Sequence, residues 1–254
     1  MESEKNNIEA GQLQESAPGQ TLRLRFNEIL LETLQQNFTV KKEALPADFV
    51  HKKIEEDGAL MEQRSSLYSF RKFENIKFGA FNAVEAVYVR NSVIWPADDY
   101  DFPAFIYDSS ETTRWLFLLI DLHPMRRDNA YLDRYAKPLA KIKSKYKDIP
   151  MLGGSRTSPR EWTKEYSSGY PFFLRCAKEY EGEMEQAFKD YVNFYVERVK
   201  EATPIEDVGH RAEVLELKNR FKNVYAENDP GGGLYRKFFG DEWAERFLSE
   251  FLFA

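Results

Sequence analysis

Cysteine and histidine, from which many metal and cofactor sites are built, are scarce in this chain of 254 residues. The single cysteine, Cys176, excludes an internal disulfide and a cysteine-ligated zinc or iron–sulfur site within the chain. The three histidines, His51, His123 and His210, lie far apart and lack the spacing of metal ligands. We therefore expect no metal site, and any redox chemistry would need an outside source of electrons.

Glycine-rich phosphate-binding motifs are also missing. The chain contains no dinucleotide fingerprint, no phosphate loop ending in Gly-Lys-Ser or Gly-Lys-Thr, and no nucleophile elbow. The three consecutive glycines that begin at Gly231 follow a predicted helix rather than a strand. The sequence thus indicates no nucleotide cofactor.

Long apolar runs and an excess of basic residues are absent as well. No apolar run approaches the roughly 20 residues of a membrane-spanning helix, and 13 Gly and 11 Pro are too few for a low-complexity chain. The net charge of −6 argues against nucleic acid as a partner, because phosphate binding needs a basic surface. Residues 1–19 are acidic and lack the apolar core of a signal peptide, so we expect a disordered tail there and one domain over residues 20–254.

One stretch departs from this acidic average. Between Arg126 and Lys147 the chain has eight basic residues and two acidic ones. The stretch is either a solvated helix face or a docking patch for an acidic partner. If it is a docking patch, the candidate contacts are Lys137, Lys141 and Lys145.

The hydrophobic patterns change from helical to strand-like and back along the chain. A helix is predicted over residues 21–34, and consecutive strands with short turns, typical of antiparallel pairing, over residues 58–122. Within that block, residues 115–120 are apolar on both faces, which is typical of a central strand covered on both sides.

Most of the remaining chain has helical periodicity. Helices are predicted over residues 131–147, split near Pro138, and over three later segments, with one more strand at Tyr170–Cys176 and a chain break at residues 229–233. This order of elements predicts an α/β fold, a three-layer α/β/α sandwich with a central, mostly antiparallel sheet in a single domain.

Two polar residues interrupt apolar strand faces. Asn91 shares a face with Val89 and Val93, and Asp108 shares one with Ile106, by the two-residue period of a strand. Each is either a hydrogen-bonded core residue or a ligand-binding group. An aspartate that faces an apolar pocket has its charged form disfavoured, so Asp108 is a candidate proton donor.

Two further residues are weaker candidates. Arg175 lies on the predicted strand Tyr170–Cys176 and could bind a carboxylate or lie on the surface. Asp229 precedes Pro230 and has, on local grounds, the pattern of a turn or a helix N-cap.

These residues lie in segments that resemble a known family, the ferredoxin-dependent bilin reductases. The resemblance covers residues 60–253, and its most specific part is the C-terminal block. The matching segments are NSVIWP (91–96), YDFP (100–103) with Asp108 five residues on, IDLHP (120–124), YLDRY (131–135), FLR (173–175), NDP (228–230), FGDEWAERF (239–247) and FLF (251–253).

The resemblance implies an oxidoreductase without a bound cofactor that acts on CH–CH groups of biliverdin IXα. Single electrons come from a reduced [2Fe-2S] ferredoxin, and bilin radicals are protonated. Asp108 matches the central proton-donating aspartate of the family, and Asp229 matches its C-terminal aspartate on the other side of the bilin. Arg175 matches a strand arginine that would pair with a propionate. The basic patch suits an acidic ferredoxin, and a monomer is expected.

One residue bears on the reaction within the family. Where the phycocyanobilin:ferredoxin reductases carry a histidine beside the central aspartate, this chain has Asn91. Asparagine there resembles the members that first reduce the 15,16 double bond to give 15,16-dihydrobiliverdin. Four-electron, phage-type members that make phycoerythrobilin or phycocyanobilin share Asn91, Asp108 and Asp229, so that alternative stays open. A non-catalytic bilin carrier on the same fold also stays open.

The aromatic content is high, since 20 Phe, 14 Tyr and 4 Trp together make up 15% of the residues. Trp95, Phe102 and Phe172 lie on or next to the strands that carry the candidate polar residues, so we expect them to line the pocket of a flat tetrapyrrole. The resemblance leaves the location open between the cytoplasm of a cyanobacterium or a phage-infected host and the plastid stroma.

Overall fold

An antiparallel sheet of eight strands forms the centre of the molecule. The structure is a computed structural model that describes residues 24–56, 59–83, 87–153 and 160–254. The tail predicted over residues 1–19 lies outside the described residues. All strand pairs in the described ranges are antiparallel.

The sheet has the order β1-β3-β4-β5-β6-β7-β8, and β2 pairs with the first half of β3 on the same side as β1. Consecutive strands from β3 to β7 are therefore neighbours, as the short turns predicted. The strands are β1 (Lys41–Glu43), β2 (His51–Glu56), β3 (Ala59–Phe70), β4 (Phe73–Ala83), β5 (Val87–Pro96), β6 (Ala104–Glu111), β7 (Trp115–His123) and β8 (Phe172–Ala177).

Helices cover both faces of this sheet. Short 3-10 turns occur at Glu161–Glu165 and Lys178–Tyr180, and a π-helical turn at Phe247–Leu252 follows the last α-helix. The α-helices are α1 (Phe26–Asn37), α2 (Ala47–Val50), α3 (Asn129–Tyr135), α4 (Lys137–Ser144), α5 (Glu181–Glu201), α6 (Val208–Asn228), α7 (Pro230–Phe239) and α8 (Asp241–Arg246).

The core on one face, which we call the rear core, is built by α1 and α5. Phe188 of α5 packs on Phe26 of α1 with ring centroids 4.6 Å apart, and Leu118 and Ile120 of β7 belong to the same buried cluster. On α5 the buried residues recur every three or four positions, so this helix presents one apolar stripe to the sheet.

The core on the opposite face, the front core, is built by the C-terminal helices. Trp95 of β5 packs edge-on against Phe221 of α6 at 4.9 Å, and Val93, Ile106 and Tyr235 belong to the same cluster. Two helical layers thus enclose one sheet, which confirms the predicted α/β/α sandwich.

An ionic cluster with two buried lysines attaches α6 to the sheet. Lys218 is only 2% exposed and donates to Glu74 at 2.9 Å and to Asp98. Lys222 donates to the other oxygen of Glu74 at 2.7 Å. These two lysines lower the pKa of Glu74 against the effect of its burial, so the carboxylate stays charged and paired.

Local signals explain where several helices begin. Asp128 caps α3 by accepting a hydrogen bond from the Tyr131 N–H at 3.0 Å. The chain then breaks at Ala136, and Pro138 lies in the first turn of α4, where a missing N–H is tolerated. The predicted split of this helix is confirmed.

The chain break expected over residues 229–233 is confirmed at Asp229 alone, which ends α6 and is the N-cap of α7. Pro230 and the three glycines form the first turn of α7 instead of a loop, and Gly240 separates α7 from α8. Local sequence disfavours helical glycines, but a Cβ at Gly231 would lie 2.8 Å from Asp229 Oδ1 and one at Gly232 would lie 3.1 Å from Leu248 Cδ1. Tight packing therefore selects glycine here.

The interpretation of residues 115–120 as a central strand covered on both sides is also wrong. β7 is next to β8 at one side of the sheet, and its side chains at Trp115, Phe117 and Leu119 are only half-buried. The C-terminal helices pack mainly on β3 to β6, so this apolar stripe on the front face is not part of the front core.

Two aromatic residues expected in the pocket lie on the rear face instead. Phe102 precedes β6 and packs on Phe73 and Tyr195, and Phe172 of β8 packs on Tyr191, all within the rear core. Phe102 lies outside β6, which begins only at Ala104, so strand alternation does not fix the direction of its side chain. On β8, the residue that shares the front face is Phe173, which lies opposite Leu119.

No helix in the described part of the chain combines the length and the apolar character needed to cross a membrane.

The opposite orientations of Phe172 and Phe173 predict different costs of truncation. Phe172→Ala opens a cavity in the rear core and should lower the free energy of unfolding by about 3–5 kcal/mol. Phe173→Ala removes a half-buried ring and should cost clearly less. Urea unfolding of both variants measures this difference, and equal losses would contradict the assignment of the two faces.

Candidate active site

The two polar residues predicted from strand alternation meet on the front face of the sheet. Asn91 of β5 lies directly opposite Asp108 of β6, and Gly79 of β4 lies opposite Asn91 on the other side. Directly opposed residues have Cβ atoms roughly 5 Å apart. Gly79, Asn91 and Asp108 therefore form one row across three strands.

Asp108 carries its carboxyl group at the edge of the front core. The residue is half-buried, and its Oδ1 atom is fully buried without a hydrogen-bond partner among the described residues. Burial and the charge of Asp229 raise the pKa of Asp108 to about 8, while the Ser109 N–H acts in the opposite direction. The group is therefore mostly protonated at neutral pH.

Asp229 approaches from the helical layer. Its Oδ1 accepts a hydrogen bond from the Gly231 N–H at 2.7 Å, as an N-cap does. Burial raises its pKa to about 6, and the N–H groups of Gly231 and Gly232 and the charge of Arg160 limit the rise. At neutral pH Asp229 is therefore mostly ionised while Asp108 is mostly protonated.

Tyr235 joins this group and was missed by sequence reasoning. It is 2% exposed on α7, and its hydroxyl lies within hydrogen-bonding reach of the Asn91 side chain. Burial and the nearby charge of Asp229 raise its pKa well above the usual value, so the hydroxyl stays protonated. The local signal for the helix that carries Tyr235 was the N-cap pattern at Asp229, and the glycines that follow it argued against a helix.

Arg175 extends the same face towards the side of the sheet. It lies on β8, two strands and two residues from Asp108, which places the Cα atoms roughly 12 Å apart. Its guanidinium lies 4.1 Å from the ring centroid of Trp115, and its buried Nε has no hydrogen-bond partner within the described ranges. Arg175 therefore lies on the same face as Asp108 with a buried donor available for a hydrogen bond.

Trp95 shares the front face with Asn91 but is fully buried under Phe221 of α6. With Phe102 and Phe172 in the rear core, none of the three aromatic residues expected to bind a ligand lies against the Asn91–Asp108 row. The apolar side chains that do share this face towards Arg175 are Trp115, Phe117, Leu119 and Phe173.

The three lysines of the basic patch are exposed, Lys137 and Lys141 on α4 and Lys145 directly after it. This helix packs against α5 behind the sheet. Lys137 pairs with Asp133, and Lys145 donates to Asp190 at 2.7 Å. No ion pair of Lys141 is present in the described part of the structure. The patch is outward-facing, as predicted, but on the face opposite Asp108.

A second buried polar network lies at the end of β7. Asp121 accepts hydrogen bonds from the Ser167 hydroxyl at 2.7 Å and from the Ser168 N–H at 3.2 Å. Asp121 interrupts the face of Phe117 and Leu119 by the same alternation that identified Asn91, so this signal was present in the sequence. The network anchors the loop that follows the 3-10 turn at Glu161–Glu165.

His123 belongs to this network, and its surroundings do not support a role as a proton donor. Burial lowers its pKa to about 4, against the effect of Asp121, so it is neutral at physiological pH. No cluster of three potential metal ligands exists among the described residues.

Comparison with known proteins identifies the family. A model of the family described as ferredoxin-dependent bilin reductase matches residues 27–254. The chain belongs to this family.

Relatives of two kinds match this bilin reductase almost equally well. A 15,16-dihydrobiliverdin:ferredoxin oxidoreductase from Gloeobacter violaceus is 30% identical over 230 residues, which cover 90% of this chain and 93% of the relative. A phycoerythrobilin:ferredoxin oxidoreductase from the same organism is 29% identical and covers 89% of this chain and 94% of the relative.

A solved structure has the same fold. Phytochromobilin synthase from tomato, crystallised in complex with biliverdin, has a TM-score of 0.77 and 19% identity, and the match covers 89% of this chain and 80% of that one. The family predicted from the residue pattern is thus confirmed, and bilin reduction with electrons from ferredoxin is the activity of the protein.

The charge of Asp229 gives a testable effect on this bilin reductase. Because the charge of Asp229 raises the pKa of Asp108, the substitution Asp229→Asn should lower the pKa of Asp108 below about 8. If protonated Asp108 is required, the alkaline limb of the pH–rate profile should shift to lower pH. Glu227→Gln, which removes an exposed carboxylate two residues earlier, is the control and should leave the limb in place. An unshifted limb in Asp229→Asn would contradict the coupling of the two aspartates.

Proposed function

We propose that this bilin reductase converts biliverdin IXα to 15,16-dihydrobiliverdin. The observation that carries the proposal is a protonated carboxyl group, Asp108, directly opposite Asn91 on a half-buried apolar face. The choice of the 15,16 double bond rests on asparagine at position 91 and on the names of relatives such as those from Gloeobacter violaceus and Nostoc punctiforme.

The reaction consumes two electrons and two protons per bilin. Two molecules of reduced [2Fe-2S] ferredoxin each give one electron and are oxidised, and the 15,16 double bond gains two hydrogen atoms. Asp108 donates a proton to a bilin radical and becomes a carboxylate. Asp229, mostly ionised at neutral pH, takes up a proton from its surroundings and supplies or relays the second one.

The remaining groups on this face would bind and orient the substrate. Asn91 would hold a lactam group of the bilin, and Arg175 would pair with a propionate through the donor that has no partner in the described structure. The half-buried side chains of Trp115 and Phe117 would contact the flat ring system in place of the three aromatic residues first expected to do so.

The proposed reaction uses no resident cofactor, because the electrons pass directly from ferredoxin to the bilin. We propose a monomer that acts in the cytoplasm of a cyanobacterium or a phage-infected host, with the plastid stroma as the alternative location.

A four-electron reduction or a reaction of dihydrobiliverdin is the second candidate. It is favoured by the relative named phycoerythrobilin:ferredoxin oxidoreductase, which is almost as similar as the first relative. The phage-type enzymes that make phycoerythrobilin or phycocyanobilin would present the same three polar residues. A non-catalytic bilin carrier is the third candidate.

Anaerobic turnover of biliverdin with reduced ferredoxin distinguishes these candidates. We expect the biliverdin absorption to decline and chromatography to give 15,16-dihydrobiliverdin as the end product. Asp108→Asn should still bind biliverdin and should lose about 10²–10⁴-fold in turnover, because it removes the proton donor. Phycoerythrobilin or phycocyanobilin as the end product would replace the proposal by the second candidate. A shifted spectrum without reduction would indicate a carrier, and wild-type turnover by Asp108→Asn would remove that residue from the mechanism.

The basic patch remains the proposed ferredoxin docking site and needs its own test. Reversing the charges of Lys141 and Lys145 to glutamate should lower kcat/KM for ferredoxin by about tenfold at low ionic strength and much less at high salt, because complementary charges speed encounter and salt screens them.

A matched variant separates docking from net charge. Reversal of Lys41 and Lys42 on β1, both exposed, changes the net charge equally at another place on the surface. Equal effects of the two double variants, or no salt dependence in either, would mean that ferredoxin docks elsewhere.

A further inference from the structure

Gly79 occupies a position where no side chain fits. It is buried in the middle of β4, directly opposite Asn91. A Cβ atom built on Gly79 would lie far inside van der Waals contact with Asn91 Oδ1, 3.1 Å from Cγ and 3.4 Å from Nδ2. The side-chain amide of Asn91 therefore fills the space that any other residue at position 79 would need. Glycine inside a strand often marks such a close approach.

Asn91 could have turned the other way. Asp108 lies opposite it on β6, at a separation across which an amide can reach a carboxyl group. Yet Asp108 Oδ1 is buried with no partner in the described structure, and its pKa reflects burial, Asp229 and the Ser109 N–H without a contribution from Asn91. The amide leans towards β4 and leaves the carboxyl group without a side-chain donor.

Contacts on both faces of the sheet hold this arrangement. On the front face, the Tyr235 hydroxyl lies within hydrogen-bonding reach of Asn91. On the rear face, Asn27 of α1 donates from Nδ2 to the Gly79 carbonyl at 3.0 Å, and the Tyr107 hydroxyl donates to Asn27 Oδ1. The backbone of β4 at Gly79 is thus fixed, so it cannot move away to admit a side chain.

We propose that Gly79 is a positioning residue that keeps the Asn91 amide away from Asp108, so that the carboxyl group remains available to the bilin. The proposal rests on the proposed role of Asp108 as proton donor. A hydrogen-bond donor aimed at a carboxylate stabilises the charged form and makes it a weaker source of protons. Space at position 79 thus protects the acid from its nearest polar neighbour.

The groups that face Asp108 set the background for a test. They are Asp229 between α6 and α7, Tyr235 on α7, Asn91 on β5 and the backbone N–H of Ser109. Gly79→Ala changes none of them chemically. It forces the Asn91 amide off β4, and the nearest acceptor then in reach is Asp108.

The test measures protonation of Asp108 directly by infrared difference spectroscopy of its carboxyl C=O stretch in the protein without bilin, with Asp108→Asn to assign the band. In Gly79→Ala we expect the titration midpoint to fall by about one pH unit or more, the size of one hydrogen bond to a charged group. The alkaline limb of the pH–rate profile should fall with it. In an Asn91→Ala background, the additional change Gly79→Ala should leave the midpoint where it was.

Several outcomes would overturn the inference. The first is an unchanged midpoint of the Asp108 titration in Gly79→Ala. The second is a midpoint shift of equal size with and without the Asn91 amide, because such a shift would come from a distorted backbone. If Gly79→Ala does not fold, the titration of Asp108 in Asn91→Ala alone decides. A midpoint close to that of the wild type supports an amide that is held away from Asp108, and a large upward shift contradicts it.

The readout also separates this inference from the proposed function. The carboxyl titration requires no turnover. A midpoint that shifts as expected while the pH–rate profile does not follow would support the positioning role of Gly79 and reject Asp108 as the proton donor.

Discussion

The pairing of β5 with β6 in the observed register is the constraint on which the site depends. It places Asn91 opposite Asp108, and both face the layer that carries Asp229. A shift of one residue would turn each strand's polar residue to the rear face, where aromatic rings fill the core. Val89 and Val93 beside Asn91 and Ile106 beside Asp108 favour this register, because a shift of one residue would remove them from the front core. The polar residues are thus positioned by the packing of neighbours that take no part in chemistry.

Holding a carboxyl group in this place has a cost that depends on pH. Because burial raises the pKa of Asp108 from its ordinary value near 4 to about 8, the protonated form is favoured in the fold. Asp108 therefore reduces the stability of the folded state increasingly as the pH rises through that interval. The ion cluster of Lys218, Lys222 and Glu74 contributes in the opposite sense, since it attaches α6 to the sheet and so fixes the start of α7 at Asp229.

Particular residues show how far sequence reasoning reached. Alternation in β5 correctly put Asn91 among front-face valines, because a strand of ten residues has a definite period. Closeness to a strand was not enough to place Phe102, which lies two residues before β6 begins, because a residue outside a strand has no defined face. At Phe172 the strand was predicted but its phase was not, because Phe172 and Phe173 are chemically identical and only the partner strand distinguishes them. Tyr235 was not found because three glycines suggested a loop, whereas they form the first turn of a helix that Asp229 caps.

By itself, the sequence determined the layered α/β/α architecture, the family and the pair of aspartates, since these depend on periodic patterns and local motifs along the chain. Only the tertiary structure decided which aromatic rings share a face with the acids and that the lysine patch lies behind the sheet. It also decided that Gly79 and Tyr235 lie next to Asn91, and that the pKa of Asp108 is raised further than that of Asp229. These properties depend on distances between elements far apart in the chain, on the desolvation of each carboxyl group and on the space left by a missing side chain. None of these quantities has a counterpart in residue order.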